Sequence, residues 1–174
     1  MNARQRGPAR LPAAMKGRAT MAILRWALAL GLGGFLVFFG VMKFTGGAHI
    51  FPYIEYKAGG AGVPFAELAY PLGNYATGAL ELVAGLLLIL PATRALGSKV
   101  AILPFLGAVG FHLSPFLGVT TPDGFADPKP VEVLAAGGPF ARSDFSEAAS
   151  MSLFIIALAG LVAAIINLFV QKGR

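Results

Sequence analysis

The chain has 174 residues and a mass of 18.0 kDa, with 56% hydrophobic and only 13% charged residues, against about 45–50% apolar and about 25% charged in an ordinary soluble domain. That balance excludes an ordinary soluble globular protein. The absence of cysteine also excludes disulfide bonds, thiolate metal sites, CxxC redox chemistry and a cysteine nucleophile. The net charge of +6 and pI near 10.0 have to be read by position.

Residues 1–20 are basic, rich in Arg, Ala and Pro and poor in apolar side chains, which predicts a flexible cytoplasmic tail or one lying along a membrane surface. Residues 21–174 then form a single membrane domain. Its first apolar run, Ala22 to Met42, is longer than a signal-peptide core and lacks an Ala-x-Ala cleavage site, so it reads as a retained helix. Further runs follow over Tyr75 to Pro91, Val100 to Val119 and Ala148 to Val170, near the 20 or so residues that a bilayer span needs. The expected fold is an all-α bundle of four transmembrane helices with two long outer loops.

The first outer loop carries Phe51, Tyr53, Tyr56, Phe65 and Tyr70, residue types that settle at headgroup level, and predicts one or two interfacial helical turns. Pro64 can open a short helix, and Gly59-Gly60-Ala61-Gly62 reads as a flexible joint. The turn from Pro91 to Gly97 is short, which makes the second and third spans antiparallel neighbours. The second outer loop, Thr120 to Glu147, contains Pro122, Pro128, Pro130 and Pro139; two helical turns over 130–136, ended by Gly137, are the most it allows. Ser143 or Ser146 is the expected cap of the last span.

Ten of the 14 cations, including Arg18, Arg25, Arg94 and Lys99, fall on one side of this arrangement, and Lys43, Lys57, Lys129 and Arg142 on the other with seven carboxylates. The positive-inside rule puts both termini in the cytoplasm, as in a bacterial inner membrane. The basic excess is thus a topology signal with attraction to anionic lipid, and nucleic acid is not an expected partner. Small residues are spread along all four spans, Gly31, Gly33, Gly34 and Gly40 in the first, Gly78, Ala84 and Gly85 in the second, Gly107 and Gly110 in the third, and Ala157, Gly160, Ala163 and Ala164 in the fourth, and they let helices approach closely in lipid.

Three side chains are expensive where they stand. Glu81 interrupts the second span near its middle, where an acidic residue costs roughly 2.5–3.5 kcal/mol on an insertion scale. His112 lies past the middle of the third span, and Lys43 ends the first. At 1.5 Å per residue, Glu81 and His112 come out roughly 5 Å, and Lys43 about 15 Å, to the outer side of the midplane. A Glu81–His112 hydrogen bond is therefore expected from depth, whereas a Lys43–Glu81 pair needs the lysine to reach inward. Each residue also has a bland reading: Glu81 as a neutral carboxyl gluing helices, His112 meeting a carbonyl freed by Pro115, Lys43 snorkelling to the interface. With only His49 and His112 available, neither a metal centre nor bis-histidine haem ligation is supported. A bundle of this kind can hold a quinone head group between Lys43 or His112 and the Glu81 carboxyl.

Phe38-Phe39-Gly40-Val41-Met42-Lys43-Phe44, Gly62-Val63-Pro64, the run from Glu81 through Gly85 to Leu90, and Thr93-Arg94 resemble the DoxX-like family of small four-helix membrane proteins. The family has G-x-x-K-[LF], G-x-P, E-x-x-x-G and T-R at these places; Pro91 stands where a glycine is usual. Thr120-Thr121-Pro122 and Gly138-Pro139-Phe140-Ala141-Arg142-Ser143-Asp144 look like the YkgB-type branch, with Arg142-Ser143-Asp144 departing from its Lys-Asp pair. The resemblance implies a redox-associated, quinone-linked membrane subunit with no covalently bound cofactor. Lys43, Glu81, Gly85 and Arg94 match recurring family positions, and the implied partners are the bilayer, a redox protein and a second copy of the chain. Two alternatives stay open: a proton-coupled exporter of small molecules working through Glu81, and a non-catalytic assembly partner that docks another membrane protein with its outer loops.

Overall fold

The computed structural model describes residues 13–46, 50–122 and 139–172. Helix α1 spans Ala13–Phe44, α2 Ile50–Gly60, α3 Asn74–Ile89, α4 Arg94–His112 and α5 Ser152–Lys172. A 3-10 turn (Ala66–Leu68) and a π turn (Ala69–Gly73) lead into α3, and Thr121–Pro122 pairs antiparallel with Ala149–Ser150. Four stretches, Gly17–Phe44, Ala66–Ile89, Arg94–His112 and Ser152–Gln171, are long and apolar enough to cross a membrane. Their outward faces, at residues such as Ile23, Phe38, Leu86, Leu103, Ile155 and Val162, are exposed and apolar.

The boundaries differ from the sequence reading for identifiable reasons. Residues 13–20, expected in the flexible tail, continue α1, because Ala, Met, Lys and Arg are good helix formers; residues 1–12 lie outside the described residues, as do His49 and the helical turns expected over 130–136. Helix α4 starts six residues before the apolar run and stops at His112 rather than Val119. It stops there because Pro115 disfavours helical backbone at the residue before it. It starts early because the turn is knitted to α3: Thr93 Oγ1 donates to the Leu87 and Leu90 carbonyls, at 2.8 and 3.2 Å. Arg94 adds Nε to Leu88 O at 3.2 Å and Nη2 to Ile89 O at 3.4 Å. These are the carbonyls that a helix C-terminus leaves unpaired. The guanidinium also lies 3.6 Å from the centroid of the Trp26 ring, so a 1%-exposed arginine is held by α1 and α3 together.

Helices α1, α3, α4 and α5 are arranged in that order around the bundle, with α5 closing back on α1 more loosely. The α1–α3 seam is made by glycine. A Cβ at Gly85 would stand 2.8 Å from the Gly33 carbonyl oxygen, and one at Gly78 2.9 Å from Lys43 Cβ. Gly33 thus faces Gly85 and Gly40 faces Gly78 along two antiparallel helices. By contrast, Gly31, Gly34, Gly107 and Gly110 face open space. The packed core, Leu32, Leu36, Ala84, Leu88, Ala101, Phe105 and Ala164, occupies the half of the bundle next to the α3–α4 turn. Below it runs a buried polar ladder: Gln171 Nε2 donates to Arg25 O and Asn167 Oδ1, Asn167 Nδ2 to Ser98 Oγ, and Ser98 Oγ to Arg94 O.

Helix α2 caps the opposite end. Pro52, Ile54 and Ala58 are buried there, and Tyr53 and Tyr56 pack on Phe145, with ring centroids 5.1 and 5.7 Å away. Phe140 joins Tyr70 and Phe145 at 5.9 and 6.3 Å. The interfacial turns are therefore a three-turn helix; Gly59 and Gly60 end it, and the segment after Pro64 is only a 3-10 turn beginning at Ala66. Ser146 Oγ accepts from Ala148 N, whereas Ser150 Oγ is the acceptor for the first amide of α5, at Ser152.

Gly85→Ala is expected to lower the thermal midpoint by an amount equivalent to about 1–3 kcal/mol, because a backbone carbonyl cannot step aside. Gly34→Ala, which meets nothing, should leave it unchanged or slightly higher in the same detergent melt.

Candidate functional site

Above the core, at the end capped by α2, the helices enclose a cavity of about 270 Å³, close to the lower end of the roughly 300–1,000 Å³ typical of small-molecule sites. Its floor is Phe35 and Phe105, whose rings lie 6.0 Å apart, with Pro104 beside them. Pro104 removes one helical hydrogen bond, to the Val100 carbonyl. Phe51 and Ile54 of α2 form the roof, and α5 contributes Ile156 and Ala157. Leu103, Gly107 and Phe111 belong to the wall and are also exposed on the outside of the bundle.

Lys43, Glu81 and His112 all line this one cavity, and they are 7%, 9% and 4% exposed. The pairing differs from the one expected from depth. Lys43 Nζ lies 2.6 Å from Glu81 Oε2, and Glu81 makes no hydrogen bond to His112 among the described residues. By the glycine register the residue level with Glu81 is Val37, so about 9 Å of helix rise separates Lys43 from it. That distance is closed because side chains lean toward the N-terminus of their own helix. In an antiparallel pair, Lys43 therefore leans down toward the core and Glu81 up toward the cap. Depth measured at Cα omits both inclinations.

Asn74, 3% exposed, donates from Nδ2 to the Lys43 carbonyl at 2.8 Å and so caps the end of α1. Lys43 Nζ also lies 5.9 Å from the centre of the Phe51 ring. His112 turns to the chain that follows it: Nδ1 is 3.1 Å from the Gly118 carbonyl, and the ring stands edge-on to Phe154 at 5.7 Å. Gly118 has φ +79°, a left-handed conformation that brings its carbonyl back over α4 and that favours glycine. The carbonyl partner expected for His112 is real, but it comes from the loop rather than from the turn before Pro115.

Asn74, Ser98, Asn167 and Gln171 are functional or structural polar groups that the sequence reading missed. Their signal was available: each is an amide or hydroxyl inside or beside an apolar run. Among the described residues no three His, Asp or Glu side chains gather as metal ligands. No protein-family model, curated protein or solved structure matches the chain.

In the cap, outside the spans, Glu55 has one buried oxygen, Oε2, without a hydrogen-bond partner. Burial raises the pKa of its carboxyl; the backbone N–H of Tyr70 pulls the other way, and the charge of Glu67 adds to the rise.

Two outcomes are expected from this geometry. Lys43→Met leaves a buried carboxylate without its cation and should cost about 3–5 kcal/mol, whereas Lys43→Met with Glu81→Leu should recover most of the loss in the same unfolding assay. For Glu55, a raised native pKa means that the folded state binds more protons than the unfolded one, so its contribution is lost as pH rises through the native value. Glu55→Gln should therefore melt higher than wild type at neutral pH, and the gap should close below the ordinary carboxylate range.

Proposed function

We propose that the chain is a DoxX-like, multi-pass protein of a bacterial cytoplasmic membrane that holds a quinone-class molecule between Lys43, Glu81 and His112 as a redox-associated subunit. The observation that carries the reading is the convergence of these three buried groups on one otherwise apolar cavity. Apolar walls with a few convergent polar groups are the general form of a small-molecule site.

The residues fit such a ligand. The cavity admits a single ring with short substituents, and its exposed wall residues Leu103, Gly107 and Phe111 are where an apolar tail would leave. Lys43 has N–H groups beyond the one pointing at Glu81, and Glu81 Oε1 has no hydrogen-bond partner among the described residues. Such a group would supply two-electron chemistry when bound, and the protein's own part is to hold the ring, exclude water and place a carboxyl beside a ring oxygen.

Read as four crossings, the four apolar helices would bring both termini to one side, the side to which the sequence assigns ten of 14 cations, and this supports cytoplasmic termini. Because the chain is free of cysteine, single cysteines read this directly. Glu67→Cys should react with an impermeant maleimide in intact cells and Lys99→Cys only after lysis; the reverse would overturn the orientation.

Native mass spectrometry with lipid extraction tests the ligand. A quinone should co-purify with wild type and be depleted in both Glu81→Gln and His112→Ala. No quinone in any of the three, at equal thermal stability, would sink the reading.

A further inference from the structure

A carbonyl oxygen only accepts hydrogen bonds, so the 3.1 Å approach of His112 Nδ1 to Gly118 O places the ring proton on Nδ1. In the neutral ring Nε2 is then a bare acceptor. It has no hydrogen-bond partner among the described residues, in a side chain that is 4% exposed and lines the cavity. Nε2 is therefore the polar atom that His112 has left to offer an occupant. Glu81 Oε1 is a second acceptor in the same state, since its sister oxygen takes the lysine. Against these stand the remaining N–H groups of Lys43 and the Thr77 hydroxyl, which lines the same wall.

We infer that the cavity selects a head group that donates hydrogen bonds over one that only accepts them: an aromatic ring carrying two hydroxyls. This rests on the quinone-class reading and assigns to the site the reduced, dihydroxy member of that class. A ring with carbonyls alone can satisfy Lys43, but it sets oxygen lone pairs against Nε2 and Oε1 and, once it covers them, leaves two acceptors of the cavity wall unmet, a costly hydrogen-bonding error in a water-poor site. A dihydroxy ring gives one O–H to each acceptor while its oxygens still accept from Lys43. His112 and Glu81 thus discriminate together, and Gly118 is the positioning residue that fixes the His112 tautomer.

The test uses the full chain in lipid nanodiscs and three tail-less probes: 2,3-dimethylhydroquinone kept under anaerobic conditions, the matching benzoquinone, and the dimethyl ether of the hydroquinone. By calorimetry the hydroquinone should bind at least about tenfold tighter than either of the others. His112→Phe, which keeps an aromatic ring in place and removes one of the two acceptors, should lower that preference several-fold; an unchanged preference would overturn the role of His112. Equal binding of all three to wild type would overturn the selectivity and leave the cavity reading standing; binding of none would overturn both. A second readout needs no variant at the site. With only two histidines in the chain, nitrogen-15 histidine NMR on His49→Gln reports His112 alone. It should show Nδ1 protonated and Nε2 bare, with Nε2 moving toward a hydrogen-bonded shift when the hydroquinone is added. A proton on Nε2 in the free protein would overturn the inference.

Discussion

A carboxylate in the middle of an apolar helix has to be answered by something within reach, and in this chain the answer is the ammonium of Lys43, 2.6 Å away. Much of the architecture follows from that requirement. The pair forms only if α1 and α3 run antiparallel and close enough for a lysine and a glutamate, starting about 9 Å apart along the axis, to lean into each other. Gly33, Gly40, Gly78 and Gly85 allow that approach, since a Cβ at any of them would meet atoms of the facing helix at 3.0 Å or less. Asn74 then ties the end of α1 to the start of α3 at the same level. A buried ion pair is weak as a source of stability, because desolvation offsets most of the attraction; here it joins two helices whose register the glycines set, at residues that both line a cavity.

The two ends of the bundle divide the labour. Next to the α3–α4 turn the interior is filled with Leu36, Leu88, Ala101 and Phe105, and the polar side chains that reach it bond to one another and to helix carbonyls, with Gln171 Oε1 left over among the described residues. Thr93 and Arg94 satisfy the last carbonyls of α3, and Asn167 and Gln171 link α4, α5 and α1. At the other end the side chains are as apolar but do not fill the space, and the polar groups are left partly unspent. The aromatic lid of Tyr53, Tyr56, Phe140 and Phe145 closes that end with residues from two segments far apart in the chain.

What could be read from the residues was uneven. The four apolar stretches were plain from length and hydropathy, because in lipid every backbone polar group must be satisfied within the helix. Glu81, Lys43 and His112 stood out because an ionisable group in an apolar run is expensive wherever it lies. Their pairing is not legible in depth alone, because depth at Cα ignores the lean of each side chain along its own helix. His112 found its carbonyl in Gly118, six residues on, because a left-handed glycine folded the chain back, and no periodicity signals that. Thr93-Arg94 looked like a turn motif and a topology cation; folded, it is a cap for the carbonyls of the preceding helix.

The sequence by itself determined how many apolar helices the chain makes, where their charges fall and which side chains would be costly to bury, since each depends on composition within a single segment. Which of those costly groups answer one another was decided only by the tertiary structure. That choice depends on the register between helices, and register is set by the summed close packing of small residues on facing surfaces, which no one segment contains.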